Sequence, residues 1–311
     1  MKGLKKIALV TAIAAAPFAA QADMKALDDT AMGNVTGQSG VTIELETQVE
    51  VGKFTYTDEG SFSVSGIKLG GSSVATGDTG NELLDELKID IDINEAGDAV
   101  IHVGSMSTQD LSAIGQGVDE PAPIDWGITA NSMELSGTGG STTLLSGLKG
   151  HGNLSKLDIN VRNGNQTRHE QTALNDNGYL ELDVGFNVVD MQFDADFLGV
   201  GVSGMSILGA NSDAIKQQYM GAGMTEAEAE GMLATTSFAK AELDVYKGDG
   251  VGSSTEKDVL RIDVSNVAMD INIDDVVVGG TIANDIGSRS IGSVGITNLQ
   301  INDTKLAVYG H

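Results

Sequence analysis

Residues 41–51 carry the most regular pattern in the chain. Apolar side chains alternate there with polar and acidic ones, and this period of two places all the apolar groups on one face of an extended strand. The segment therefore predicts a long, half-buried strand in a large sheet. Its apolar face also forms the hypothesised assembly strand, which completes a sheet within the same chain or in a neighbouring one, with the residues Val41, Ile43, Leu45, Val49 and Val51.

The same alternation recurs along most of the chain, interrupted by short turns rich in Gly, Asn and Asp. With 41 glycines and three prolines, this composition is typical of many strands joined by turns. An aliphatic-Asp-aliphatic element recurs around Asp90, Asp158, Asp183, Asp244, Asp263 and Asp270. Its unequal spacing argues against a solenoid. We expect an all-β fold, a large and elongated antiparallel sheet folded as a sandwich or roll, with these aspartates on the solvent-exposed face.

One segment, residues 211–238, breaks the strand rhythm. It is rich in Ala, Gln, Glu and Met, and Thr225 with Glu228 forms a capping box that marks a helix start. The segment predicts a short helical pair inserted near residues 212–237, within a single β-rich domain over residues 23–311.

The N-terminus has the features of a secretory signal peptide over residues 1–22. Lys2, Lys5 and Lys6 precede an apolar stretch at residues 7–16, and Ala20-Gln21-Ala22 is a small-x-small cleavage site. A retained anchor is the alternative, although the apolar stretch is too short to span a bilayer. We expect export to the periplasm, the outer-membrane surface or the extracellular medium.

The chain is strongly acidic, with a formal net charge of −26. Nucleic acids and anionic lipids bind to clustered Lys and Arg, so we expect no nucleic-acid partner. The mature chain also lacks any apolar segment long enough to span a membrane as a helix. The expected partners are other surface or pilus proteins, or the chain itself.

No residue set in the sequence points to catalysis or to a cofactor. Of the four histidines, His102, His151, His169 and His311, none has the spacing of a triad or a zinc site. Residues 92–98 approach a calcium loop, but Ala96 stands at a ligand position, which favours a hairpin turn. We predict no enzyme activity, no catalytic, cofactor-binding or metal-binding residues, and no cofactor.

Residues 27–43 combine a short acidic segment with Val35-Thr36-Gly37-Gln38-Ser39-Gly40-Val41-Thr42-Ile43 immediately after the signal peptide. This arrangement resembles the start of mature FilA-like proteins, an exported Gram-negative family of pilus-system components. The resemblance implies an exported, fimbria-associated protein and supplies no catalytic residues. The sequence therefore predicts a structural or adhesive cell-surface protein, with a secreted carbohydrate- or divalent-cation-binding module as the alternative.

Overall fold

A computed structural model describes residues 40–163 and 178–310. The predicted signal peptide, residues 27–39 of the FilA-like segment, His169 and His311 lie outside this range. The chain divides into two units, residues 1–39 and residues 40–311, and all the described residues belong to the second.

The second unit is all-β and is built on one antiparallel sheet of twelve strands. This confirms the predicted fold class and is consistent with the sandwich or roll that the sequence suggests. The strands of this sheet are β1 (Val41–Thr47), β2 (Val49–Thr57), β3 (Ser61–Gly70), β4 (Leu84–Ile93), β5 (Ala99–Ser105), β8 (Ile124–Gly137), β9 (Gly140–Arg162), β10 (Tyr179–Ala195), β11 (Val200–Leu208), β12 (Ala239–Gly248), β13 (Val259–Val278) and β14 (Val294–Val308). Two short strands, β6 (Thr108–Gln109) and β7 (Glu120–Pro121), pair separately.

Four long strands, β9, β10, β13 and β14, run through the whole sheet. The shorter strands pair with one end or the other of them and so define two halves of the sheet, called here half A and half B. The strands of half A follow the order β1-β4-β5-β9-β10-β12-β13-β14. Those of half B follow the order β2-β3-β8-β9-β10-β11-β13-β14. At one edge, β1 and β2 follow each other with only Gln48 between them, so the predicted continuous strand 41–51 is broken at that residue. The break coincides with the point where the chain stops pairing with β4 and begins pairing with β3.

Three Ser-Gly pairs mark irregular points in half B. Gly66, Gly147 and Gly204 all have left-handed backbones, with φ of 61°, 60° and 63°, a conformation that only glycine adopts without strain. The ladder between β9 and β10 shifts register beside Gly147, and the ladder between β10 and β11 shifts beside Gly204. The repeated Ser-Gly pairs therefore serve as local bends in long strands.

The predicted helical pair is present as α2 (Ser212–Gly221) and α3 (Glu226–Thr236). The capping box between Thr225 and Glu228 is formed as expected. The remaining helices are short, α1 (Ser73–Thr76) and α4 (Ile282–Arg289), with a single 3-10 turn at Ser112–Ile114. The pair connects β11 to β12, the two strands that share the space between β10 and β13.

Asn187 on β10 fixes the position of the helical pair against the sheet. Its side-chain amide donates hydrogen bonds to the carbonyl oxygens of Ala234 and Ser237, at 2.7 and 3.2 Å. Asn187 is four residues beyond Asp183 on the same strand and therefore lies on the same face. The helical pair thus covers the aspartate-bearing face of the sheet.

Candidate functional site: the edge strand and the apolar face of half A

The predicted assembly strand forms one edge of the sheet. Within the described residues, β1 pairs only with β4 and β2 only with β3. The strand is therefore paired on one side within its own chain, and its other side offers backbone N–H and C=O groups to a further strand.

The five predicted side chains are exposed, which corrects the expectation of a half-buried strand. Their exposed fractions are Val41 56%, Ile43 42%, Leu45 36%, Val49 42% and Val51 37%. Phe54 and Tyr56, which the sequence analysis did not single out, continue the strand with 51% and 60% exposure. The alternation correctly indicated an apolar face, but no other layer of the described chain covers it.

This apolar face extends far beyond the edge strand. In half A, paired residues on neighbouring strands form three lateral rows. Row members are two residues apart along the strands, except that the second and third rows are three residues apart on β13 and β14, where the ladder to β12 shifts register, and the three rows lie on the same face. The first row holds Ile93, Ala99, Val161, Leu180, Val245, Ile262 and Leu306. The second holds Val41, Ile91, Ile101, Ile159, Leu182, Leu243, Val264 and Thr304. The third holds Ile43, Ile89, Val103, Leu157, Val184, Ala241, Val267 and Ile301.

These three rows, called here the apolar face of half A, contain no charged side chain. Seven of their residues are exposed, fifteen are half-buried and Val103 alone is buried. Val161, the penultimate residue of β9, is 45% exposed. Val103 packs with the buried Leu87 and Ile124, and Ile89 packs against that cluster, so the third row borders the apolar core while the first two rows contain no buried residue.

The opposite face of half A carries the recurring aspartates. One lateral row runs Thr42, Asp90, His102, Asp158, Asp183, Glu242, Asn266 and Asn302. Lys156 makes ion pairs with both Asp158 and Asp183, and His102 Nδ1 lies against Asp158 Oδ1. Burial acts to raise the pKa of Asp158, but the hydrogen bonds from His102 and Lys156 outweigh it and lower that pKa. Lys156 thus offsets the like charges of Asp158 and Asp183 at the centre of this row.

Some of these aspartates are buried, against the expectation that all would face solvent. Asp244, Asp263 and Asp270 are 2%, 6% and 8% exposed. Asp263 accepts hydrogen bonds from Arg261 and Tyr246, and the Arg261 guanidinium lies over the Tyr246 ring. Hydrogen-bonding partners and ion pairs make such burial tolerable. The charged face is therefore partly covered while the apolar face is open.

A cavity of about 450 Å³ lies between the helical pair and the sheet. Its lining mixes polar and apolar groups, among them Asp213, Lys216, Asp270 and Asp274, and it includes no aromatic side chain. Lys216 is already paired with Glu226 and Glu230. The described lining therefore offers no aromatic ring on which a sugar could stack.

The remaining residues considered from the sequence do not converge on a site. Asp98 is almost fully buried and accepts hydrogen bonds from Asn94, Arg162 and Asn163, so residues 94–98 form the β4–β5 hairpin turn. His151 and Trp126 lie on the neighbouring strands β9 and β8. Among the described side chains, no group of three His, Asp or Glu is arranged to hold a metal ion.

No helix within residues 40–163 and 178–310 has both the length and the hydrophobicity to cross a membrane. Residues 1–95, which include the edge strand β1–β2, match a family of unknown function, DUF6160. No curated protein and no solved structure matches the chain.

Proposed function

We propose that this chain is an exported structural or adhesive protein of the cell surface, associated with pili or fimbriae, which joins a neighbouring protein through its edge strand β1–β2. The observation that carries the proposal is the open edge over residues 41–57 with its exposed apolar side chains. Soluble proteins usually shorten, twist or charge such an edge because it invites a further strand. The FilA-like segment at the start of this strand and the predicted signal peptide support export and a pilus-related role.

The chemistry of the edge restricts its partner. Glu44, Glu46 and Glu50 alternate with the apolar residues, and carboxylates placed directly opposite each other repel. The edge therefore disfavours pairing with an identical edge and favours a neutral or basic strand. Strand addition of this kind takes its affinity from backbone hydrogen bonds and its specificity from alternate side chains.

The proposal is tested in a strain that lacks the gene and is complemented with variants. Val49→Lys combined with Val51→Lys places two charges on the edge strand outside the apolar rows, and we expect exported, folded protein that no longer associates with the cell surface. Gln116→Lys adds a charge in an exposed loop and serves as the control. Cell fractionation, adhesion assays and negative-stain microscopy provide the readouts. A wholly periplasmic protein, with filaments and adhesion unchanged in the deletion strain, would overturn the proposal.

A further inference from the structure

The apolar face of half A has the extent of an interaction surface, because large exposed apolar areas mark sites where another molecule binds. The face crosses eight strands, which at about 4.8 Å per strand spacing gives a width of about 34 Å. Three rows of same-face residues add a length of about 20 Å along the strands. The resulting area is about 700 Å², close to the roughly 800 Å² per partner of a stable protein–protein interface.

Once the predicted signal peptide is removed, the segments outside the described residues offer few apolar side chains. Residues 164–177 contain only two apolar side chains, Ala173 and Leu174. Residues 23–39 are mostly polar or small, with Leu27 and Val35 as their only branched aliphatic residues. Neither segment has enough apolar side chains to pack against three rows of Val, Ile and Leu.

The placement of charge favours a second copy of the same chain. The chain has a net charge of −26, so two copies repel wherever their acidic surfaces meet. The three rows carry no charge, and the aspartate rows point away from them. Two copies that meet through these faces bury no carboxylate and keep their acidic faces on the outside.

We infer that two copies pack the apolar faces of half A against each other and form a two-layered β-sandwich. Sheets packed in this way lie about 10 Å apart with interdigitating side chains. The interface lies on the face of the sheet and leaves the outer side of β1–β2 open. The inference is therefore independent of strand addition at the edge, although Val41 and Ile43 border both surfaces.

The test is the mass in solution of the protein purified after export, measured by sedimentation equilibrium over a range of concentrations. The expected mass is that of two chains. Ile159→Lys places a charge at the centre of the face and should weaken the dimer at least about 100-fold, equivalent to about 2.7 kcal/mol. Val161→Lys should also weaken it, and because Val161 is 45% exposed in the single chain, that substitution leaves folding intact.

Asn160→Lys is the matched control, since Asn160 lies between these residues on β9 and points to the opposite face. We expect Asn160→Lys to remain dimeric. A monomeric wild-type protein at about 100 μM, or a dimer that resists both face variants, overturns the inference. A monomer that binds vesicles of neutral phosphatidylcholine also overturns it and assigns the face to lipid. None of these results depends on the cellular location tested above, so the two proposals fail separately.

Discussion

Asp270 connects three parts of the fold, and its removal gives the clearest test of how the helical pair is anchored. Its Oδ2 accepts hydrogen bonds from the backbone N–H and the hydroxyl of Ser212, both at 2.7 Å. Its Oδ1 accepts a hydrogen bond from the backbone N–H of Asn298, at 2.5 Å. The carboxylate on β13 thus holds the first residue of α2 and an irregular point of β14, where Asn298 has a φ of 54°.

Asp270→Asn keeps the shape of this side chain but turns one acceptor into a donor that faces N–H or O–H groups. Hydrogen bonds to a charged group contribute about 1.5–3 kcal/mol each, and one or two are lost. We therefore expect the free energy of unfolding to fall by about 2–4 kcal/mol at pH 7. Urea unfolding followed by the fluorescence of Trp126, the sole tryptophan, measures this change. Asp274→Asn is the control because Asp274 is exposed and accepts a hydrogen bond from Asn272.

The effect should depend on pH in a defined direction. Burial acts to raise the pKa of Asp270, but hydrogen bonds from Asn298 and Ser212 outweigh it and leave the pKa below its usual value. A lowered pKa in the folded state contributes stability that is present above the unfolded pKa of about 3.9 and is lost as pH falls through the folded pKa. The difference between wild type and Asp270→Asn should therefore shrink below about pH 4. A loss under 0.5 kcal/mol, or a loss that stays constant with pH, would refute this reasoning.

Three further predictions use the same unfolding measurement. Gly204→Ala should destabilise more than Gly147→Ala, because both glycines have φ near +60° but only at Gly204 does an added Cβ fall 2.8 Å from Asp274 Cβ; equal losses would contradict the role of that contact. Asp263→Asn should lower the free energy of unfolding by about 3 kcal/mol, because the buried Arg261 then loses its ion pair with this carboxylate. A loss below about 1 kcal/mol would contradict this expectation. Lys156→Met should lower the free energy of unfolding by under about 1 kcal/mol, because the Lys156 side chain is 41% exposed and solvent screens its ion pairs; a larger loss would show that these ion pairs are structurally important.

Local chemistry made much of the fold predictable. The alternation identified the strands, the capping box at Thr225 marked the start of α3, and the turn residues 94–98 marked a hairpin. These features depend on neighbours in sequence, so a single chain reveals them. The helical pair was recognisable for the same reason, since its composition departs from the strand rhythm.

The choice of covered face could not be predicted, because alternation shows that a strand has two different faces without showing which one is covered. That outcome depends on long-range contacts such as Asn187 with Ala234 and Asp270 with Ser212. The break at Gln48 likewise depends on where β3 and β4 begin. The apolar rows did leave a signal, since the aliphatic residues that flank the recurring aspartates, Asp270 excepted, line up across half A.

The meeting of two apolar faces is the central claim, and the absence of cysteine permits a direct test by single introduced thiols. Ile159→Cys and Asn160→Cys place a thiol on opposite faces of β9, and a bismaleimide with a span of about 8 Å can bridge sheets about 10 Å apart. We predict that crosslinking of the purified protein yields a covalent dimer from Ile159→Cys and leaves Asn160→Cys monomeric. A covalent dimer from Asn160→Cys alone, or from neither variant, would contradict the claim.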